Sequence, residues 1–130
     1  MILTHQKIDE TISGKCVDII NGKRSIVVLK TQDFMKVDDK GLVHGGFTFS
    51  LADHAAMVAV NHPNVVLYKA NVKFQAPVKV GDTLVAKARV YRKIKNRHFV
   101  EVQVFKEDKI VFVGKFLCIV LESHVLDLRK

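Results

Sequence analysis

Apolar and polar residues alternate through much of the second half of the chain. TLVAKARVY (residues 83–91) and VEVQVF (residues 100–105) place an apolar side chain at every other position, as in a strand with one covered face. The pattern predicts strands at Val65–Gln75, Thr83–Lys93, Arg97–Lys106 and Ile110–Leu121. Nearer the amino terminus, KCVDIINGKRSIVVLKT adds two runs, Cys16–Ile20 and Arg24–Thr31, around Asn21-Gly22. That pair suits a hairpin turn because both residues can take positive φ. APVKVGD, KNR and EDK supply further turns, and QDFMKVDDKG reads as a polar loop.

Between the two strand groups lies GLVHGGFTFSLADHAAMVAV, residues 41–60. Helix formers follow Gly45-Gly46, which predicts a helix from about Phe47 to Asn61, stopped before Pro63. Its apolar residues run almost all the way round, so the helix is expected to be buried on most sides. The order β-β-α-β-β-β-β gives one helix to about six strands. An antiparallel sheet must cover its apolar face, and this helix is the available cover. A curled sheet wrapped round a central helix is an α+β arrangement, the hot-dog fold. One helix covers six strands incompletely, so a homodimer, or a tetramer built as a dimer of dimers, is expected.

No linker or repeat divides the 130 residues, which read as a single domain over 1–130. The formal charge of +8 points to an anionic partner, such as a phosphate or nucleotide. A nucleic-acid partner is not expected, because no helix-turn-helix, zinc or RNP-like aromatic motif is present. Cys16 and Cys118 lack any paired spacing, and His44, His54 and His62 show no ligand spacing, so neither disulfide nor metal is expected. The first residues show no basic-then-apolar leader, and Ile110–Leu121 is too short to span a bilayer. The expectation is a cytoplasmic protein without membrane contact.

Asp53 is the sharpest anomaly. It is the one acid between Asp39 and Asp82, and no Lys or Arg lies between Lys40 and Lys69. Removing an ionised carboxylate from water costs several kcal/mol even after relaxation. Helical spacing groups Ser50, Asp53, His54 and Met57 into one stripe. Two turns earlier, Gly45 and Gly46 stand where amide N–H groups have no intrahelical acceptor, and without side chains they admit a ligand to the backbone. A carboxylate and an amide-lined site are the minimum parts for acyl transfer to water. Ser50 has no G-x-S-x-G elbow around it, which argues against a serine hydrolase.

The segment from Gly41 to Val60 closely resembles the signature G-x-x-HGG-x-x-x-x-L-x-D of hot-dog thioesterases of the phenylacetic-acid-degradation type. The likeness continues through ANVKFQAPVKVGDTLVAKARV and covers about residues 14–121. It implies hydrolysis of acyl-CoA, with CoA entering only as part of the substrate and no separate cofactor. The Gly45 and Gly46 amides would hold the thioester carbonyl, and Asp53 would act as general base or nucleophile. The resemblance also implies sites at a dimer interface, with Asp53 and the glycines of one site coming from different subunits. Many relatives carry Asn where this chain has Asp38, and some carry Ser or Thr where it has Leu67. His44 would brace the loop, His54 would line the site, and Phe47 and Leu67 would shape the acyl cavity with Met57 and Phe74. Lys69, Lys73 and Arg92 are candidates to meet the CoA phosphates. The alternative function is a non-catalytic acyl-CoA-binding module with the same fold.

Overall fold

The computed structural model describes residues 1–128. A short helix α1 (Glu10–Ser13) precedes β1 (Lys15–Ile20) and β2 (Arg24–Lys30). The long helix α2 (Gly45–Val60) follows, then β3 (Val65–Phe74), β4 (Thr83–Ile94), β5 (Arg97–Lys106) and β6 (Lys109–Val120). All six strands form one antiparallel sheet in the order β1-β2-β4-β5-β6-β3, so β3 crosses over to the edge opposite β1. This is the hot-dog fold, with α2 lying in the sheet's inner face. Among the described residues, no helix is long and apolar enough to cross a membrane.

The inner face is built by alternation. Ser25, Val27 and Leu29 of β2, Leu84, Ala86 and Ala88 of β4, and Val100, Val102 and Val104 of β5 are all buried. They meet Leu51, Ala52, Ala55, Ala56 and Ala59 of α2, and the run of alanines lets the helix lie close to the strands. Close approach also makes a polar contact there: Ser25 Oγ donates to the Ala55 carbonyl at 2.7 Å.

Every strand ends within one residue of its predicted limit, but three local features differ. Ile20 pairs with Arg24, so the first hairpin has a three-residue loop; Lys23 N–H closes it on Ile20 O at 2.9 Å, and of Asn21 and Gly22 only Gly22 takes positive φ. The glycines lie inside the first turn of α2, with His44 as N-cap. The far end stops at Asn61, a left-handed C-cap with φ of 54°. Pro63 merely follows.

Residues 1–14, unassigned from the sequence, run back along α2 as a strap. Asn61 holds one end, accepting from Leu3 N–H at 2.7 Å and donating to Met1 O at 2.8 Å. Ser13 holds the other through a 2.6 Å hydroxyl contact with Ser50. The loop between β2 and α2 is likewise less polar than it reads, because Met35 sits in a 3-10 turn there and is fully buried.

On β6, Gly114 has no room for a side chain: an added Cβ would lie 2.8 Å from Phe116 Cε1 and 2.9 Å from Val72 Cγ1. Overpacking a dense core costs about 1–3 kcal/mol. Gly114→Ala should lower stability by that amount in urea unfolding, whereas an unchanged midpoint would show that the two neighbours move apart freely.

Candidate active site

The amino-terminal end of α2 is pinned before the helix begins. Val43 N–H donates to Val78 O at 2.8 Å, and His44 N–H donates to Met35 O at 3.0 Å. The first amide bonded within the helix is that of Phe47, to His44 O at 3.1 Å. The Gly45 and Gly46 N–H groups therefore stand ahead of the helical ladder, at its positive end. Side chains here would crowd two neighbouring rings. A Cβ on Gly45 would be 3.2 Å from the Phe74 ring, and one on Gly46 would be 3.0 Å from the His44 ring. A concavity of about 360 Å³ opens here, lined by Gly45, Thr48, Phe74 and Pro77.

Three neighbours of this end hold it in shape. His44 is exposed, with its ring edge-on to Phe47 at 6.1 Å, and Phe34 meets the same Phe47 ring at 5.8 Å. Asp38 closes its own loop: Oδ1 accepts from Lys40 N–H at 3.0 Å and from Leu42 N–H at 3.2 Å.

Asp53 lies two turns further along α2. Its Oδ1 is buried and has no hydrogen-bond partner. Desolvation pushes the carboxyl up to about 6 from the usual 3.8. The ion pairs among the described residues are Lys36–Asp33, Arg89–Glu101 and Lys106–Asp82, so no cation there compensates it. Asp53 is near the β6–β3 side of the core. Burial, and after it the charge of Asp53, pushes the Cys118 thiol of β6 up to about 12. Leu67 of β3 stands opposite Cys118 in register, and Phe49, one turn before Asp53, packs on Phe116 with centroids 5.7 Å apart.

The structure divides the predicted stripe. Ser50 and His54 face the strap: His54 is buried, and its Nδ1 lies 3.0 Å from Ser13 O. His54 is therefore not brought into Asp53's surroundings. Burial also lowers the proton affinity of His54, and its ring stacks on His5 at 6.2 Å.

Lys69, Lys73 and Arg92 are likewise placed elsewhere, on the outer face of the sheet. Two β-bulges account for this. A strand without bulges would keep Lys69 and Lys73 on the face of Leu67, but the bulge between Leu67 and Lys69 inverts the sequence of faces. A second bulge between Val90 and Arg92 does the same to Arg92, which pairs with outward-facing Phe99. One inward polar group went unnoticed in the sequence. His98 pairs with Cys118, is 8% exposed, and has a buried Nδ1 without a partner. Alternation signals that it points inward, but its neighbour is fixed only by register.

Along a helix the eight residues from Gly45 to Asp53 span about 12 Å. One carbonyl cannot lie within hydrogen-bond reach of both groups in a single copy of the chain.

The family model of the thioesterase superfamily matches residues 40–113. An uncharacterized protein from Pyrococcus horikoshii has the same fold with a TM-score of 0.96; it is 54% identical, with 98% of this chain and 97% of that one covered. Methylthioribose-1-phosphate isomerase of Aquifex aeolicus is 54% identical over 120 residues, which are 92% of this chain and 26% of that protein. Transcription factor FapR of Caldanaerobacter subterraneus is 39% identical over 120 residues, again 92% of this chain, and 60% of its own length. The chain thus spans only part of these two relatives. With more than half its length matched by the family model, and a hot-dog sheet carrying an HGG turn and an acid on its helix, the chain belongs to the thioesterase superfamily.

Proposed function

We propose that the protein hydrolyses acyl-CoA thioesters to a free acid and CoA. The observation that carries this reading is Asp53, a half-buried carboxyl whose Oδ1 is buried and unpaired, raised to about 6 on a helix whose first amides are free. A base with its pKa near the working pH is well matched to proton transfer. The Gly45 and Gly46 N–H groups bind the thioester oxygen and stabilise the charge that develops on it. Asp53 removes a proton from water as its oxygen bonds to the carbonyl carbon. Collapse of the tetrahedral intermediate breaks the C–S bond, and the proton passes from Asp53 to the departing CoA sulfur. Nucleophilic attack by Asp53, followed by hydrolysis of the anhydride, gives the same products. Base, oxyanion donors and acyl-cavity lining (Phe47, Leu67, Phe74) all come from the chain, and no separate cofactor enters this scheme.

The 12 Å separation is resolved by pairing, with Asp53 from one copy facing Gly45 and Gly46 of another. Strand β3 is a free sheet edge, with Tyr68 67% exposed and Phe74 53% exposed, which supports a homodimer formed there.

A second reading, a non-catalytic acyl-CoA-binding module, is favoured by the likeness to a protein named a transcription factor and by the absence of a strand hydroxyl at Leu67.

Hydrolysis of acyl-CoAs from acetyl to long-chain and aryl, followed by thiol release, separates the two. Asp53→Ala should lose about 10²-fold or more in turnover while still binding CoA. If the wild type binds but turns none over, the module reading replaces the enzyme. Subunit sharing has its own test. Mixing inactive Asp53→Asn with inactive Gly45→Val should restore about a quarter of wild-type activity, because half of the random dimers regain one of two sites. No recovery from folded, exchanging dimers would place each site within one chain.

The raised proton affinity of Asp53 also sets a pH dependence. The folded state holds this proton more tightly than the unfolded chain, so the associated stability is present below about pH 4 and lost as pH rises through about 6. Asp53→Asn should therefore gain on the wild type between those values and keep an advantage of about 3 kcal/mol above them in denaturant titrations. Over the same interval kcat/KM should rise as the base ionises, and a flat profile there would remove Asp53 from that role.

A further inference from the structure

The outer face of the sheet, turned away from α2, gathers side chains that the reaction at Asp53 leaves unused. Register places Lys69 and Lys73 of β3, Lys115 of β6, and Lys87, Arg89 and Arg92 of β4 on this face. Two acids share this face: Glu101, already bonded to Arg89, Nη2 to Oε1 at 2.6 Å, and Asp18 of β1, which lines a concavity with Lys87 and Arg89, so cations remain in excess. Two aromatic rings lie between the cations. Tyr91 is 38% exposed, its centroid is 6.3 Å from that of Phe99, and Lys115 Nζ sits 5.8 Å from it. Two concavities adjoin here. One of about 230 Å³ is lined by Lys69, Asn71, Tyr91 and Phe99, and one of about 390 Å³ by Lys73, Glu101 and Gln103. Asn71 and Lys115 border both.

Charge decides among occupants. A second copy laid against this face would oppose lysine to lysine, which disfavours self-association. From β3 to β4 the cations span three strand spacings, about 15 Å, longer than one nucleoside phosphate needs. The outer sheet face offers no helix or ribbon to enter a duplex groove, whereas partly exposed rings between cations suit unstacked bases on a charged backbone.

We propose that this outer face binds single-stranded nucleic acid, with bases on the Tyr91–Phe99 rings and phosphates on the surrounding lysines and arginines. The absence of a linear motif is no obstacle. The participating residues come from strands far apart in sequence, and the bulges at Leu67/Lys69 and Val90/Arg92 turn Lys69, Lys73 and Arg92 outward to join them. This site is independent of the chemistry proposed for Asp53.

Fluorescence anisotropy of a labelled oligothymidylate of about 15 nucleotides, with the whole chain, tests it. Saturable binding is expected at about 25 mM salt, weakening with a log–log salt slope of about −2 to −3, as for three or four phosphate contacts. Lys87→Glu combined with Lys115→Glu should weaken binding about tenfold or more. Tyr91→Ala should weaken it about fivefold or more at an unchanged salt slope, since stacking rather than charge is lost. Unchanged melting temperatures in these surface variants show that they are folded. The proposal fails if about 50 µM protein gives no binding at low salt. It also fails if duplex DNA or heparin binds as tightly and Tyr91→Ala changes nothing, which is plain cation exchange. Preference for anionic lipid vesicles over the oligonucleotide would make this a membrane face and overturn it too.

Discussion

A helix with apolar side chains on almost every side persists in water only if each side is covered, and the architecture around α2 follows from that requirement. The inner faces of β2, β4 and β5 take up its alanine-rich side. The strap of residues 1–14 takes up the side carrying Ser50, His54 and Asn61, using the few polar groups there as fastening points. What remains is the β6–β3 side, where Phe49 and Asp53 emerge toward Phe116 and Cys118. The carboxyl is desolvated because the helix that bears it had to be enclosed, and its perturbed proton affinity is a by-product of the same packing.

Enclosure also separates the two chemical parts. The helix amides are most available at the first turn, where no carbonyl precedes them, and the carboxyl is most desolvated near the middle, where packing is densest. Both properties cannot be had at one point on one helix. Two copies in opposed orientation, as in the proposed dimer, would bring the end of one helix beside the middle of the other, and the unpaired edge β3 lies on the same side of the sheet as Asp53.

The strands were legible because alternation records burial directly, and the helix because its composition changes abruptly after Gly46. The anomaly of Asp53 was legible for the same reason: an acid without a nearby cation stands out in an apolar run. What the linear pattern could not give was adjacency. Helical spacing grouped Ser50, Asp53 and His54, but the angles between them are wide enough for the strap to take two and β6 the third. Unbroken period two would put Lys69 and Lys73 on the face of Leu67, but a single unpaired residue, Tyr68, moves both to the other side. Bulges and cross-strand register depend on partners distant in sequence, so Cys118 and His98 could be read as inward-facing without any sign that they oppose each other.

The fastening of Met1 to Asn61 has a consequence for how this fold tolerates being joined to other polypeptides. It fixes the start of the strap at the carboxyl end of α2, about 24 Å along the axis from Gly45. A segment fused ahead of Met1 would leave the domain at that end and would not run past the glycine amides or the concavity beside Phe74. The glycine end of α2 lies at the opposite end of the helix from that attachment, and any pull on the attachment acts first on the Asn61 cap. A fused domain would thus be coupled mechanically to the helix that carries Asp53, at the end away from Gly45 and Gly46.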